Sequence, residues 1–404
     1  MALRLRSANK DLMREINASI VLGLVREHGQ ISRAEIARIA NLSAATVTGI
    51  ASSLIRQELV VEESTGISTG GRRPILLAFN CRAGVALGVK ITERKLVCVA
   101  TNLGGEEQDE HTFPLPEHAT PTLVVELIAT EVARLRQLFP GQRFVGVGVG
   151  IAGVVDRPTG VCRFSPFLRW RNVPLRDALE AAIGAPVVVE NDVNTLTFAF
   201  HEEAIGGADS SIAIVTVGRG VGLGMMIHGH PFRGARGRGG EFGHITVDPD
   251  GPLCECGKRG CLEAIVSLPA LLRDAGAVLG QPVNEHELRR FVDSGHDRLS
   301  PVLDRAAAIF GGALATLVNI LNPDMVVLSG EGSWFVEQML PTITRSLDAQ
   351  VFDGLAGEFA LRVDQRGDDF WAKGAAGMLL EETFRPQLER VRHNGMTLSA
   401  SGKR

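Results

Sequence analysis

Apolar residues in the first 80 positions recur at intervals that predict three short helices followed by a β-hairpin. The first helix is predicted over Leu12 to His28, where apolar side chains return every three or four residues. Ser32, with Glu35 three residues later, has the spacing of a capping box and begins a second helix. Ser43 begins a third helix after a short turn. The buried stripe of this third helix is expected to contain Val47, Ile50 and Leu54.

The hairpin is predicted from two short apolar runs. Residues 59–61 and 75–77 have the composition of strands, and the segment between them is rich in Gly, Ser and Thr as far as Gly71. Two short helices joined by a tight turn are typical of a helix-turn-helix. Together with the hairpin they predict a winged helix-turn-helix domain, with its linker, over residues 1–80.

The rest of the chain alternates buried strands with helices. A β-hairpin is predicted over 85–99, and further strands over 144–151, 187–189, 212–217 and 325–328. Helices are predicted over 121–138, 174–183, 192–204 and 302–321. This alternation indicates an α/β body over residues 81–390, and its length favours two lobes with a ligand-binding cleft between them. Residues 391–404 are predicted to be a disordered tail.

Composition places the chain among ordinary globular proteins, because 45% of its 404 residues are hydrophobic and 22% are charged. The sequence has no run of the roughly 18 uninterrupted apolar residues that a membrane helix needs, and no signal-peptide pattern at its N-terminus. We therefore expect a cytoplasmic protein with no membrane segment. Residues 1–57 contain eight Lys or Arg and four acidic residues, a local charge of +4 that leaves −8 for the remainder. A basic head on an acidic body favours nucleic-acid binding by the head.

The exposed face of the third helix carries the candidate DNA contacts. Small side chains and hydroxyl groups let a helix lie deep in the major groove, against phosphates and thymine methyl groups. Two adjacent arginines in the hairpin are placed to reach a narrow minor groove. The candidate DNA-binding residues are Ser43, Ala44, Ala45, Thr46, Thr48, Arg72 and Arg73. The alternative is a three-helix protein-interaction domain with two solvated arginines.

Polar residues follow the predicted strand at 187–189. Asn191 and Asp192 can each bind a pair of hydroxyl groups, and in a kinase such a carboxylate can also accept a hydroxyl proton. Capping of the next helix explains these two residues equally well. The glycine-rich run from Thr216 to Gly224 permits close approach to a phosphate, but it also suits a hairpin turn.

A histidine and three cysteines within eighteen residues predict a metal site. Its ligands would be His244, Cys254, Cys256 and Cys261. Three thiolates and one imidazole complete a tetrahedral Zn²⁺ site with no open position for water, so the zinc is expected to be structural. Reduced cysteines without metal are the alternative. Glu241 and Glu263 flank the cluster, where carboxylates suit either sugar hydroxyls or solvent.

These motifs together resemble the ROK family, which groups transcriptional repressors with sugar kinases. The resemblance covers nearly the whole chain and is most specific at residues 241–263. It implies a two-lobed actin-like, hexokinase-like body, and the winged-helix head is similar to that of xylose, N-acetylglucosamine and glucose-type repressors. It also implies zinc at the four ligands named above. The sugar-binding residues that it implies are Asn191, Asp192, Glu241, His244, Glu263 and Gly153.

One segment departs from the kinases of that family, which carry an Asp-x-Gly-Gly-Thr loop for ATP phosphates. The aligned segment here runs from Gly88 to Arg94, with Lys90 in place of the carboxylate and Glu93 close to where phosphates would lie. We therefore expect a retained sugar pocket without phosphoryl transfer. Asp192 would then be a vestigial base position, and no residue would be catalytic.

Three functions are compatible with these patterns. The first is a sugar-responsive, DNA-binding transcriptional regulator, a repressor by preference, that reads a double-stranded operator as a homodimer or homotetramer. The second is an active sugar kinase with a DNA-binding head. The third is a repressor controlled by a protein partner. The altered segment at 90–94 favours the first and argues against enzymatic activity.

Overall fold

The computed structural model describes residues 10–65, 74–203, 210–235 and 237–384. Arg72, Arg73 and the predicted tail therefore lie outside the described residues. The described chain forms a head, two α/β lobes and a C-terminal helix that contacts the head and both lobes.

The head has the element order of a winged helix-turn-helix. Its elements are α1 Lys10–His28, β1 Gln30–Ser32, α2 Arg33–Ile39, α3 Ala44–Arg56, β2 Val60–Thr65 and β3 Ile75–Phe79. Both predicted N-caps are confirmed, because Ser32 Oγ accepts a hydrogen bond from Glu35 N at 3.2 Å and Ser43 Oγ accepts one from Thr46 N at 3.1 Å. The Glu35 carboxylate does not return to its cap, as a capping box would require, but faces Arg38 at 4.0 Å.

The predicted apolar stripe of α3 is confirmed as part of the head's core. Val47, Ile50 and Leu54 are buried against apolar residues of α1 and α2. The three strands pair in the order β1-β3-β2. Strand β1 was not predicted, because three residues are too few to show a periodic pattern.

The first lobe is built on a five-stranded sheet in the order β11-β7-β4-β5-β6. Strands β4 and β5 form the predicted hairpin, β7 pairs in parallel with β4, and β11 pairs in parallel with β7. A small three-stranded sheet in the order β10-β9-β8 is also part of this lobe. The elements are β4 Gly84–Ile91, β5 Lys95–Asn102, β6 Glu107–Pro114, α4 Pro121–Leu138, β7 Arg143–Ile151, β8 Val154–Asp156, β9 Val161–Ser165, β10 Trp170–Val173, α5 Leu175–Ile183 and β11 Val187–Asn191.

The second lobe is built on another five-stranded sheet, in the order β14-β13-β12-β15-β16. Its elements, with the helices around them, are α6 Asp192–Glu202, β12 Ile212–Val217, β13 Val221–Ile227, β14 His230–Pro231, α7 Glu263–Val266, α8 Leu268–Leu279, α9 Glu285–Asp293, α10 Ser300–Leu321, β15 Met325–Ser329, α11 Ser333–Asp348, β16 Ala360–Val363 and α12 Asp368–Phe384. Helices α8 to α11 share one core with β12 and β15. Residues of α6 and α12 share a second core with the same sheet.

Glycines in the central strands of the first lobe let α12 lie directly on the sheet. A Cβ atom at Gly88 would be 1.9 Å from the carbonyl oxygen of Ala372, and one at Gly148 would be 1.9 Å from that of Ala375. Val147 and Val149, which alternate with glycine in β7, join the core formed with α4 and α5. The alternation in this strand therefore reflects a helix in close contact with one face only.

One helix in the described residues, α10, is long and apolar enough to cross a membrane, with a mean hydropathy of 1.4. Half of its most apolar window is buried inside the protein. Phe310, Leu314 and Val318 of this helix are fully buried in the core of the second lobe. The hydropathy of α10 is thus that of a core helix, which passes the same test of length and composition.

The four predicted body helices are confirmed with small changes in their bounds. The helix predicted at 302–321 begins two residues earlier, at Ser300, and the one predicted at 192–204 ends at Glu202. The body elements that were not predicted are helices α7, α8, α9, α11 and α12 and strands β6, β8, β9, β10, β13, β14 and β16.

Candidate functional site

A cleft of about 1120 Å³ is lined by residues of both lobes. The carboxyl ends of β4 and β11, the turn between β12 and β13, and the first turn of α12 all contribute to its wall. The six predicted sugar-site residues all line it: Gly153, Asn191, Asp192, Glu241, His244 and Glu263. Residues up to 110 positions apart along the chain are thus brought to one cavity.

Asn191 is the N-cap of α6. Its Oδ1 accepts hydrogen bonds from Val193 N at 2.9 Å and Asn194 N at 3.2 Å, and its Nδ2 donates to Gly153 O at 3.0 Å. The capping alternative raised from the sequence is therefore what the structure contains at Asn191. The amide links the end of β11 to the loop after β7, so it holds the cleft wall in shape.

Asp192 is ion-paired with Lys90 at the floor of the cleft. Lys90 Nζ donates to Asp192 Oδ2 at 2.5 Å, and Asp192 Oδ1 accepts from Val193 N at 3.0 Å. Both charged residues are only 6% exposed. Lys90 Nζ also lies 3.6 Å from the centroid of the Trp371 ring, a cation–π contact from α12. Each oxygen of the would-be base therefore already accepts a hydrogen bond from the protein.

A buried ionic cluster lies one residue before the cleft wall. Glu190 is 3% exposed, and its Oε2 is 2.6 Å from Arg233 Nε and 3.1 Å from Arg157 Nε. Its Oε1 accepts from Asn194 Nδ2 at 3.0 Å. Burial disfavours the charged carboxylate, but the two guanidinium groups hold the pKa of Glu190 below its ordinary value. This ionic cluster anchors the carboxyl end of β11 in the protein interior.

The glycine-rich run at 216–224 forms the turn of the β12–β13 hairpin. Val217 pairs with Val221, and Gly218 N donates to Gly220 O at 2.9 Å. The carboxylate of Glu331 lies against this turn, 3.0 Å from where a Cβ atom on Gly218 would be. Burial raises the pKa of Glu331, and the carboxylates of Asp368 and Asp192 add to this rise, which the Lys90 ammonium and a backbone hydrogen bond from Arg219 only partly offset. An anionic side chain thus lies where the sequence suggested a phosphate could approach.

The predicted metal ligands come together at the edge of the cleft. His244 Nδ1 lies 3.6 Å from Cys254 Sγ, and Cys256 Sγ lies 3.6 Å from Cys261 Sγ. The ligand atoms of all four residues lie within 4.8 Å of one another. The chain reaches this arrangement through tight turns such as that at Gly260, whose φ is 66° and whose Cβ would be 1.4 Å from Asp248 O.

These distances fit a four-coordinate metal ion. Bond lengths of about 2.3 Å to sulfur and about 2.0 Å to nitrogen, in a tetrahedron, place neighbouring ligand atoms roughly 3.5–3.8 Å apart. Burial raises the pKa of the Cys254 thiol to about 12, whereas the pKa of Cys256 is lowered, in part by a backbone hydrogen bond from Lys258. A bound cation would displace the remaining thiol protons. The cluster can therefore hold a metal ion.

The cluster is joined to the cleft by His244 and Glu263. Glu263 Oε1 lies 3.9 Å from His244 Nδ1, while its Oε2 accepts from Val221 N at 3.0 Å. Because Glu263 bridges the metal ligands and the β12–β13 turn, a change in the cluster would alter the cleft wall directly.

The head presents the residues predicted to contact DNA. Ser43, Ala44, Ala45, Thr46 and Thr48 are all exposed on the first turns of α3. Thr48 Oγ1 donates to Ala44 O at 2.7 Å, and the hydroxyls of Ser43 and Thr46 are 2.8 Å apart. These hydrogen bonds hold the hydroxyl groups against the first turns of α3.

Sequence reasoning missed the partners of Lys90. It took this lysine as the loss of a phosphate loop, but did not predict its pairing with Asp192 or its contact with Trp371. It also missed Glu331, beside the glycine-rich turn. Trp371 and Glu331 lie in no motif, and only the packing of α12 and of the loop after β15 brings them to the cleft.

Solved structures define the class of protein to which this architecture belongs. The crystal structure of a ROK family transcriptional regulator, a homolog of the E. coli MLC protein, matches with a TM-score of 0.80 and 23% identity, over 95% of this chain and 99% of that chain. A ROK hexokinase from Thermus thermophilus matches with a TM-score of 0.62 and 31% identity, over 72% of this chain and 97% of that one. The fold is thus a winged helix-turn-helix head on a sugar-kinase-like body.

The chain belongs to the ROK family, whose model matches residues 86–382. The xylose repressor of Caldicellulosiruptor bescii is 29% identical, covering 93% of this chain and 98% of that protein. The DNA-binding transcriptional dual regulator NagC of Escherichia coli is 29% identical, covering 85% and 87%. The family resemblance and the fold class expected from the sequence are confirmed.

Proposed function

We propose that this protein is a sugar-responsive, DNA-binding transcriptional regulator of the repressor type that acts in the cytoplasm, with no membrane segment. The observation that carries the proposal is the ion pair between Lys90 and Asp192, the carboxylate that a kinase would use as its base. The cleft around this pair is lined by the proposed sugar-site residues. The exposed face of α3 provides the surface for DNA binding. Relatives that match nearly their whole length are named as repressors or transcriptional regulators, which supports the same conclusion.

Phosphoryl transfer is disfavoured by two contacts in the cleft. A general base attracts the hydroxyl proton with its negative charge, and the charge of Asp192 is already balanced by Lys90 at 2.5 Å, while its other oxygen accepts from Val193 N. The carboxylate of Glu331 beside Gly218 would repel the phosphates of a nucleotide. No residue is therefore assigned a catalytic role, and Asp192 is a vestigial base position.

The effector that suits this cleft is a neutral sugar. At the floor of the cleft, the charges of Lys90 and Asp192 balance each other. Glu241 is exposed, and Glu263 Oε1 lies 3.9 Å from His244 Nδ1. Carboxylates and an imidazole can accept and donate hydrogen bonds to neighbouring hydroxyls. Asn191 and Gly153 complete the proposed sugar site, with Asn191 acting by shaping the wall as well as by contact.

The proposed DNA interface is the exposed surface of α3, with Ser43, Ala44, Ala45, Thr46 and Thr48 against the major groove. The arginines at 72 and 73, outside the described residues, are proposed to contact the minor groove. A regulator of this kind reads two half-sites, so a homodimer or a homotetramer is part of the proposal. Residues 1–80 would form the DNA-binding domain and residues 81–390 the effector-binding domain, while the predicted tail at 391–404 lies outside the described residues.

The metal proposed for the cysteine cluster is a structural zinc ion held by His244, Cys254, Cys256 and Cys261. Four protein ligands leave no position for a reacting water. When bound, the ion would neutralise the thiolates and hold the wall that contains His244 and Glu263. The supporting observation is the spacing of the four ligand atoms, and total metal analysis of the purified protein would test it.

Operator binding tests the central proposal. Fluorescence anisotropy with the double-stranded DNA upstream of the chain's own gene is expected to show salt-dependent binding that one member of a sugar panel changes. Ala45→Glu places a charge against the phosphates and should weaken binding at least about tenfold. Ala178→Glu, on the exposed face of α5, is the matched control and should bind as the unaltered protein does. Equal binding by the Ala45→Glu variant would remove α3 as the recognition helix.

The second candidate, a sugar kinase, is favoured by the likeness of the body to the Thermus hexokinase. An assay of ADP release with hexoses, pentoses and amino sugars distinguishes the two functions. Turnover of about 1 per second or more, ordinary for an enzyme, would contradict the regulator assignment. Asp192→Ala is expected to weaken the sugar response while the variant still binds the operator, whereas Asp353→Ala, on an exposed loop, should leave both as in the unaltered protein.

A further inference from the structure

Helix α12 has one end at the cleft and the other at the head. Its first turn carries Asp368, whose Oδ2 is 2.9 Å from Lys95 Nζ, and Trp371, which lies under the Lys90 ammonium. Its last residue, Phe384, contacts the ring of Phe79 in β3 with a centroid distance of 5.7 Å. Seventeen residues of helix span about 25 Å at about 1.5 Å per residue. One rigid element thus touches both proposed sites.

The contact with the head is built from aromatic and cationic groups. The guanidinium group of Arg26, in α1, lies 5.2 Å from the ring centroid of Phe384 and 5.5 Å from that of Phe79. Leu59 of the head packs against the cluster that includes Leu380. We call this contact, formed by Arg26, Leu59, Phe79, Leu380 and Phe384, the head seam.

A second connection runs from the cleft wall to the same end of α12. Arg157 lies 3.1 Å from the buried Glu190 through Nε, and its Nη2 donates to Glu382 Oε2 at 2.9 Å. Glu190 directly precedes Asn191 and Asp192, so the strand end that forms the cleft wall is tied to the last turn of α12. The helix is therefore linked to the cleft at both of its ends.

The middle of α12 has no room to bend or slide alone. Its backbone lies against Gly88 and Gly148 of the first lobe, and a Cβ on Gly374 would be 2.0 Å from Thr195 O in α6. A close-packed helix moves as a unit with its neighbours. A displacement at Trp371 would accordingly appear at Phe384.

We propose that α12 transmits the effector signal from the cleft to the head, with the Lys90–Asp192–Trp371 contact as its input and the head seam as its output. This inference rests on the proposed function. A sugar hydroxyl that donates to Asp192 shares the carboxylate with Lys90 and shifts the ammonium on the face of Trp371. In the described residues, the head contacts α12 through the head seam. A shift of α12 therefore moves the head relative to the body. Such coupling requires that sugar and operator bind the two arrangements of α12 with different affinities.

The test is a double-mutant cycle on operator affinity with the full-length protein. Lys90→Met removes the input charge and Phe384→Ala removes the output contact. Sites as far apart as the two ends of α12 ordinarily act independently, so their separate effects on Kd multiply to within about twofold. Transmission through α12 predicts that Lys90→Met changes operator Kd in the otherwise unaltered chain and has little effect once Phe384 is alanine. Independent, multiplying effects would overturn the inference.

A sugar titration provides the second arm, with D-xylose, D-glucose and N-acetyl-D-glucosamine as probes. Coupling between sites is commonly about 5- to 150-fold, and the ratio of operator Kd with and without sugar should fall to nearly 1 in Phe384→Ala. Sugar affinity, followed by tryptophan emission, should stay within about twofold. Phe352→Ala removes a 73% exposed phenylalanine on the loop between α11 and β16 and should keep the full ratio. Phe384→Leu, which keeps apolar packing, guards against loss of folding.

The outcomes separate the two proposals. If sugar changes operator binding in the unaltered protein and Phe384→Ala keeps the whole ratio, α12 is not the route, and the regulator assignment stands. If the unaltered protein binds no operator, the proposed function fails and the inference fails with it. If the ratio collapses in Phe384→Ala while both separate affinities persist, transmission through the head seam is supported.

Discussion

Replacing Lys90 with methionine isolates the energetic role of the ion pair at the cleft floor. Methionine is similar in length, can still pack against Trp371, and carries no charge. The change leaves Asp192 with an unpaired negative charge on a side chain that is 9% exposed. The variant should therefore be less stable than the unaltered protein, although no apolar contact is deleted.

The expected loss follows from the surroundings of Asp192. Removing one partner of a buried ion pair costs about 3–5 kcal/mol. Asp192 Oδ1 keeps its hydrogen bond from Val193 N, and the adjoining cleft admits water, so the lower end applies. A loss of about 3 kcal/mol changes the unfolding equilibrium roughly 100-fold. Adding Asp192→Asn removes the second charge and should return stability to within about 1 kcal/mol of the original.

Urea unfolding of the zinc-loaded protein, followed by tryptophan emission at fixed protein and zinc concentrations, measures both variants. The slope of free energy against urea should stay constant, so that the midpoint alone reports the change. A Lys90→Met variant within about 0.5 kcal/mol of the unaltered protein would refute the reasoning, because the pair would then be solvated. A double variant no more stable than the single one would refute it as well.

Three further predictions concern the metal cluster, the Glu331 carboxylate beside the glycine-rich turn, and the glycine contact between β7 and α12. Cys256→Ser should release zinc and lower the melting temperature by several degrees, as mass spectrometry and calorimetry would show; unchanged zinc content would contradict the site. Burial raises the pKa of Glu331, so its charged form costs stability as pH rises above 4.5; Glu331→Gln should melt higher than the unaltered protein near pH 7, with the difference vanishing on acidification. Gly148→Ala, whose Cβ would meet Ala375 O, should cost about 1–3 kcal/mol in urea unfolding, whereas Gly23→Ala, in α1 with open space around the added Cβ, should cost nothing.

Local signals were sufficient for the head. The caps at Ser32 and Ser43 and the stripe of α3 are short-range features, and each was found where the spacing placed it. Strand β1 escaped prediction because its partner, β3, lies more than forty residues away in sequence. A strand of three residues is defined by that partner and not by its own pattern.

The candidate metal site was predictable because its ligands are close in sequence. His244 and the three cysteines carry a donor set with few other uses in a reducing compartment, and eighteen residues can fold around one ion. The glycine-rich run at 216–224 was ambiguous because glycine permits both a hairpin turn and a phosphate loop; the pairing of β12 with β13 decided for the turn.

The amino-acid sequence by itself determined the class of head, the α/β body, the cysteine cluster and the altered segment at 90–94. Only the tertiary structure decided what Lys90 does there, since Asp192 and Trp371 lie 102 and 281 positions away and meet it through sheet pairing and helix packing. The glycines of β4 and β7 give a second example. Their positions can be read in the sequence, but only the structure shows that they are needed because α12 lies directly on these strands. Contacts between distant segments depend on the global packing of the chain, which no local pattern of spacing encodes.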